Sequence, residues 1–319
     1  MAFRRKFKDQ LPKFHPWTVE RVLGVFGSIA GIVALAIAFL RLDAISDDTV
    51  ALILIGELSL LSVGLILWIY VTSIRKLHRY SQAVFYIHYI NHVVRDQVAA
   101  IEAGQSADLR ELLHEIVDAT AQCYSVLTAK RCRCCILEIS PEKEVVIVVR
   151  DSITTTQSPN IVPHHLEDNS DFSDIWYGRN GCPRFFYSRN LVKLWRSGRY
   201  KNTSFENYGN PETFSLLGMT IVTKWTLPYK STIVWPLRYI PEGIQWPVLN
   251  AANLQQIPPE KRPFVWGFLC VDCNSRNRFD AVYAPELGAA IADATFTALH
   301  AARLNAAENP VVNQNLLEK

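Results

Sequence analysis

Phe264-Val-Trp-Gly-Phe-Leu-Cys-Val-Asp272 is the stretch on which the fold turns. It is dense in β-branched and aromatic residues and uncharged up to its last position, so it reads as a strong strand. A second such run, Ser231–Tyr239, precedes it across a Pro-rich excursion. Further upstream, Cys132–Ile139 and Glu144–Val149 flank the turn Ser140-Pro-Glu-Lys143, and Arg184–Ser188 reads as another strand. Asp108 opens a helix, with Glu111 three residues on in capping-box fashion and an apolar face of Leu109, Leu112, Ile116, Ala119 and Cys123. A short helix is expected over Asp171–Tyr177, and an Ala-rich helix over Ala284–Ala306. Asn190–Pro228, rich in Tyr, Asn and Gly, reads as irregular. The order of helix, two strands, variable middle, three strands and helix predicts an α+β domain, with an antiparallel sheet and helices on one face.

Two of these strands carry a resemblance. Tyr229-Lys-Ser-Thr-Ile-Val-Trp-Pro-Leu-Arg238 resembles the strand that reads S-x-x-x-x-P-[LI] in GAF domains, the small-ligand sensor modules of signalling proteins. Trp266-Gly-Phe-Leu-Cys-Val-Asp-Cys273, followed by Phe279 and a helix, resembles their G-x-L-x-x-[DS] strand and closing helix. The likeness spans about Asp108 to Arg303, within a domain bounded at 105–306. It implies a ligand pocket over the sheet, capped by the variable middle segments. On that expectation the ligand-binding candidates are Trp176, Tyr187, Arg189, Lys230, Thr232, Trp235 and Trp246. The aromatics would stack on a ring, and Arg189 and Lys230 would meet phosphate or carboxylate. The N-K-x-x-D-E pattern of cyclic-nucleotide-binding phosphodiesterase GAF domains is absent, as is a bilin-attachment context.

The other decisive feature is where the apolar residues crowd. The chain has 319 residues, 49% of them hydrophobic and 20% charged, with a net charge of +3. That excludes disorder and, at so small a charge, argues against a nucleic-acid binder. Val22–Leu40 carries no charge and reaches about 28 Å as a helix, enough to cross a hydrocarbon core. Thr49–Ile74 is a second such run, with Glu57 as its only ionisable group. The short acidic turn Arg41–Asp48 between them makes a two-helix transmembrane hairpin over residues 22–74. A cleaved signal peptide is the lesser reading, because no small-residue cleavage site precedes the turn and a second span follows at once. The basic arm, residues 1–21, with Arg4, Arg5, Lys6, Lys8, Lys13 and Arg21, and the cluster Arg75, Lys76 and Arg79 place both flanks on the cytoplasmic side of the inner (plasma) membrane.

Inside the hairpin, Gly27 and Gly31 form a G-x-x-x-G, continued by Ala30, Ala34 and Ala38 on a neighbouring face. Such small residues pack helices closely, either within the hairpin or between subunits. Glu57 falls near mid-membrane, where a carboxylate must be protonated, paired or wet. It is the candidate for a membrane function, a protonated, hydrogen-bonded Glu being the plainer reading. From residue 75 to 104 a connecting helix is expected. Leu77, Tyr80, Val84, Ile87, Asn91, Val94, Val98 and Ile101 follow a 3-4 spacing that fits a two-stranded coiled coil and hence a homodimer. Phe85, Tyr86 and Tyr89 widen the apolar face and support the rival, one amphipathic helix lying on its own domain.

Chemistry-bearing residues are few. His88 and His92 sit four apart but lack a third ligand at suggestive spacing. Cys132, Cys134 and Cys135 on one strand and Cys270 and Cys273 on another could approach each other. Residues three apart in a strand point to opposite faces, so small buried thiols are expected, with no metal and no cofactor. There is no P-loop, H-E-x-x-H, G-x-S-x-G or G-x-G-x-x-G, so no enzyme is expected. The sequence ends in a polar tail, 307–319. The expected function is a membrane-anchored sensor whose ligand, such as a nucleotide second messenger, rearranges the membrane helices. In this arrangement the chain resembles two-span effectors of bacterial nucleotide-signalled antiphage defence. The alternative is a ligand-free anchored scaffold or regulatory subunit.

Overall fold

The computed structural model describes residues 47–105, 108–154, 164–179, 184–216, 219–239 and 264–308. The basic arm, the first apolar run, its G-x-x-x-G, Trp246 and the polar tail from Asn309 onward lie outside them. The chain divides into two units, Met1–His78 and Arg79–Lys319. In the first, helix α1 (Asp47–Glu102) begins. Leu60, Leu61, Val63, Leu65, Ile66, Leu67, Trp68, Ile69 and Tyr70 are all exposed along it. Among the described residues this one helix is long and apolar enough to cross a membrane. Glu57 lies on it, its Oε1 without a hydrogen-bond partner among the described residues.

In the second unit the remainder of α1 uses a different face from the expected seam. Ala83, Ile90, Val94 and Ile101 are buried, and Tyr86, Ile87, Val93 and Val98 pack half-buried against the same core. Leu77, Val84 and Asn91 are exposed. The 3-4 line is therefore split. Its C-terminal members dock on their own domain, as the amphipathic-helix reading has it, and Asn91 is exposed on the single chain. The helix stops where Gly104 takes φ 73°, left-handed backbone that glycine tolerates without strain. Helix α2 (Leu109–Thr128) follows, with Asp108 as its N-cap and Asp108 Oδ1 accepting from the Glu111 amide at 3.0 Å.

Strands β1 (Cys132–Ile139), β2 (Glu144–Arg150), β3 (His164–His165), β4 (Phe186–Ser188), β7 (Ser231–Tyr239) and β8 (Phe264–Cys273) form one antiparallel sheet in the order β3-β2-β1-β8-β7-β4. Between β3 and β4 lies helix α3 (Ser170–Trp176), and after β4 come α4 (Leu191–Arg196) and α5 (Ser204–Tyr208). Strands β5 (Glu212–Leu216) and β6 (Met219–Lys224) pair as a separate two-stranded ribbon. Helix α6 (Tyr283–Glu308) closes the fold.

The stretch 190–228, expected to be irregular, thus holds two short helices and a hairpin. Every residue of β5 is exposed, so no face is buried and no apolar–polar alternation marks it. In α4, six residues are too few to show a helical period. Its start is fixed by Asn190, whose side chain accepts from the Lys193 amide.

The sheet is apolar on both faces, and each face has its own core. Against α2, α6 and the buried face of α1 lie Cys132, Cys134, Ile136, Ile233, Trp235, Leu237, Leu269, Val271 and Cys273. Trp235 is the anchor there. Its indole N–H donates to Pro285 O at 2.8 Å, and Gly288 leaves room for the ring, since a Cβ at that position would come within 2.1 Å of it. Leu137, Val145, Val234, Phe268 and Cys270 point the other way, toward Leu166, Phe172, Ile175, Phe186, Tyr200, Phe205 and Leu227. Gly267 is where β1 and β8 approach most closely, since a Cβ would stand 1.9 Å from Leu137 O.

Candidate functional site

Strand parity and pairing register build the site. Across β1, β8 and β7, Arg133 lies opposite Asp272, which lies opposite Thr232. One row further on, Arg150 of β2 lies opposite Cys135, Cys135 opposite Cys270, and Cys270 opposite Val234. Directly opposed residues share a face, and this is the face away from α2 and α6. Above it, α3 and the segment 202–208 leave a cavity of about 330 Å3. Its floor is made by these two rows together with Leu137 and Ile147. Its walls include His164, Asn169, Asp171, Phe172, Asn202, Ser204, Asn207, Tyr208 and Tyr229.

The polar groups of the floor are largely paired among themselves. Arg133 Nη2 lies 3.4 Å from Asp272 Oδ2, and the Thr232 hydroxyl donates to Asp272 Oδ1 at 2.7 Å. The Arg133 guanidinium also sits 5.2 Å above the Tyr229 ring, a cation–π distance. Burial pushes the Asp272 carboxyl up, and Arg133 and the Thr232 hydroxyl partly offset it. On the wall, His164 Nδ1 pairs with the Thr203 hydroxyl, and burial followed by the nearby Arg150 charge pulls its pKa down. Burial likewise pushes the Tyr200 and Tyr229 hydroxyls well above their usual range.

Asp171 is the exception. It is 4% exposed, at the start of α3. Oδ2 receives long side-chain contacts, from the Tyr200 hydroxyl at 3.4 Å and the Asn202 amide at 3.5 Å, while Oδ1 has no well-formed hydrogen bond among the described residues. Burial, with the Asp272 charge second, pushes its pKa up to about 7, against weak hydrogen bonding from the Asp171 and Phe172 amides and the Tyr200 hydroxyl. A buried carboxylate oxygen without a donor costs roughly 1–3 kcal/mol or more. The fold holds that group against a cavity wall.

The residues expected from the sequence to meet a ligand divide between the two faces. Thr232 lines the cavity. Trp235, one residue removed in parity from Val234, faces the helices, and Tyr187 donates to Phe279 O at 3.0 Å on that same side. Neither lines the cavity. Trp176 packs half-buried in the cavity-side core without lining the space. Arg189 and Lys230 do not line the cavity; Arg189 O accepts from the Asn277 amide at 2.8 Å and the Lys230 amide donates to Cys273 O at 2.8 Å. Trp246 lies outside the described residues.

The lining groups that sequence reasoning passed over are Arg133, Arg150, His164, Asp171, Asn202 and Tyr229. A signal for Arg133 existed, since it shares parity with Cys135 on a strand paired to the Asp272 strand. The wall residues come from short segments whose packing no pattern announces.

Five thiols sit on β1 and β8. Cys132 lies opposite Cys273 on the helix side, and Cys135 opposite Cys270 on the cavity side. Cys270 and Cys273, three apart, do point to opposite faces. Among the described residues no group of three or more His, Cys, Asp or Glu could hold a metal ion. His88 and His92 are simply paired through their Nε2 atoms at 2.8 Å on the exposed side of α1.

No protein-family model matches the chain, and no curated protein matches it. Among solved structures it is similar to the GAF domain of a phosphoenolpyruvate-protein phosphotransferase from Acinetobacter, at 12% identity, 67% of this chain, 94% of that one and a TM-score of 0.38. The corresponding domain from Coxiella burnetii shows 10% identity over 69% and 98%, with a TM-score of 0.40. The free methionine-R-sulfoxide reductase of Neisseria meningitidis, in complex with its substrate, shows 13% over 70% and 93%, with a TM-score of 0.38.

Proposed function

We propose, from the premise of a GAF-like α+β domain with a cavity over its sheet, that this protein is a membrane-anchored sensor of a small molecule. One observation carries the reading: a buried Asp171 oxygen without a well-formed hydrogen bond among the described residues, on the wall of a cavity of about 330 Å3. That volume falls in the range of small-molecule sites. A ligand-free scaffold would fill such a space with its own side chains.

The lining specifies the ligand's chemistry. Asp171 Oδ1 asks for an N–H or O–H donor. Arg150, which forms no salt bridge among the described residues, asks for an anionic group. Phe172, Tyr208 and Tyr229 offer ring faces. A mononucleotide or a similar heterocyclic anion meets all three demands.

The rest of the proposal concerns the membrane. Val22–Leu40 and the exposed apolar face of α1 would form the two-span hairpin, with both flanks in the cytoplasm and Glu57 at a helix contact or aqueous path. Ligand state would reach the hairpin through α1, whose residues Ile90 and Val94 pack in the domain core. The exposed Leu77, Val84 and Phe85 would pair with a second copy. Extracting the purified full chain and identifying small molecules by mass spectrometry tests the ligand. Wild type should carry one heterocyclic anion that Asp171→Asn lacks, and equal, empty extracts would refute the sensor reading. Protease treatment of intact spheroplasts tests the topology, since removal of the C-terminal half from outside would overturn it.

A further inference from the structure

Two thiols face each other on the cavity floor. Cys135 and Cys270 are direct partners in the β1–β8 ladder. Directly opposed residues in an antiparallel pair have Cα atoms about 4.5–5.5 Å apart, inside the roughly 4.4–6.8 Å that a disulfide spans. Both side chains belong to the cavity face and line the open space, and Cys135 is half-exposed. On its other side Cys135 is opposed by Arg150, also lining the cavity.

The row is therefore a guanidinium, an accessible thiol and a second thiol, the set that reactive, resolvable cysteines use. The protein supplies its own control. Cys132 and Cys273 are opposed in the same ladder but face α2 and α6, at 4% and 0% exposure; the hydrogen bond with Cys132 pulls the Cys273 thiol down to about 6, so the two pairs differ in access and not in a more acidic thiol on the cavity side.

We infer that Cys135 and Cys270 form a two-electron redox site that hydroperoxides close into a cross-strand disulfide. The Cys135 sulfur attacks one peroxide oxygen and the O–O bond breaks. The departing oxygen, met by the Arg150 guanidinium N–H donors, takes up the Cys135 thiol proton and leaves as water, so that Cys135 becomes a sulfenic acid. The Cys270 sulfur then displaces the sulfenic oxygen, which leaves as a second water with the Cys270 proton. Two thiols are oxidised by two electrons in total, and both oxygens of hydrogen peroxide are reduced to water. Burial pushes the Cys270 thiol up, with Cys135 beside it a further cause. This suits Cys270 to resolving the intermediate rather than starting the reaction. The bond would fasten β1 to β8 beneath the cavity, so oxidant would change the floor a ligand rests on. The redox site stands whether or not the cavity binds a metabolite.

The test treats the reduced full chain in detergent with hydrogen peroxide, blocks free thiols with an alkylating agent, and maps peptides by mass spectrometry. A Cys135–Cys270 peptide lighter by two hydrogens, restored by dithiothreitol, is expected before any Cys132–Cys273 link. Cys270→Ser should leave Cys135 as sulfenic or sulfinic acid. Arg150→Ala should slow closure by about tenfold, the scale on which a neighbouring cation tunes thiol reactivity. Cys135 that stays alkylatable while unlinked, or a Cys132–Cys273 link that forms first, would overturn the inference.

Discussion

Replacing Asp171 by Asn should stabilise the protein and empty its cavity, and the two effects should separate with pH. The carboxyl pKa stands at about 7 against an ordinary value of 3.8. The folded state therefore holds this proton more tightly than the unfolded chain does. Stability from that proton is fully present below pH 3.8 and is lost as pH rises through 7. At 1.36 kcal/mol per pKa unit, the loss amounts to about 4 kcal/mol as an upper bound above pH 7.

Asn carries no charge to desolvate, and its amide can use Tyr200 and Asn202 as neighbours. Urea unfolding of the full chain in detergent, followed by tryptophan fluorescence, should give Asp171→Asn a gain of about 2–4 kcal/mol at pH 8 that shrinks to about 1–1.5 kcal/mol at pH 5, where only about a third of the wild-type loss has accrued. Asp272 is shifted in the same direction, so the variant keeps part of the wild-type pH slope. A loss of stability at pH 8, or the same difference at both pH values, would show that Asp171 is satisfied in the fold. The case for a ligand would then fall.

Other substitutions check the frame around the site. Gly288→Ala places a methyl group against the Trp235 ring and should cost about 1–3 kcal/mol in the same unfolding assay, the usual penalty for overpacking. Trp235→Phe loses the bond to Pro285 O and should cost about 1–3 kcal/mol while leaving any copurified small molecule in place, because the ring is on the helix side of the sheet. Asp108→Ala removes the α2 cap and should cost about 1 kcal/mol by urea midpoint. Glu57→Ala should abolish any ligand-dependent leakage of expressing cells, and unchanged leakage would remove Glu57 from the membrane role.

How far the fold could be read in advance depended on whether each element buries a face. Ser231–Tyr239 and Cys132–Ile139 coincide with their strands because each packs both faces of the sheet. The β5–β6 ribbon was illegible because it buries nothing along β5. On α1 the 3-4 spacing was visible, but spacing alone cannot say which apolar line meets a partner. The line through Ala83, Ile90 and Val94 is the one buried in the chain's own domain, and Ala carries no weight in a seam read from large apolar residues. For the site, the resemblance placed a pocket over the sheet but could not choose the face. The parity of Thr232 against Trp235 settles that. Asp171 was noted only as a helix start, and nothing in its neighbours along the chain tells of an oxygen left without a donor.

The central claim is that the cavity exists to hold a molecule, and native mass spectrometry of the full chain released from membranes tests it most directly. The account predicts one small adduct per chain that disappears on unfolding and in Asp171→Asn. A bare polypeptide mass under conditions that keep the domain folded, identical in wild type and variant, would contradict it.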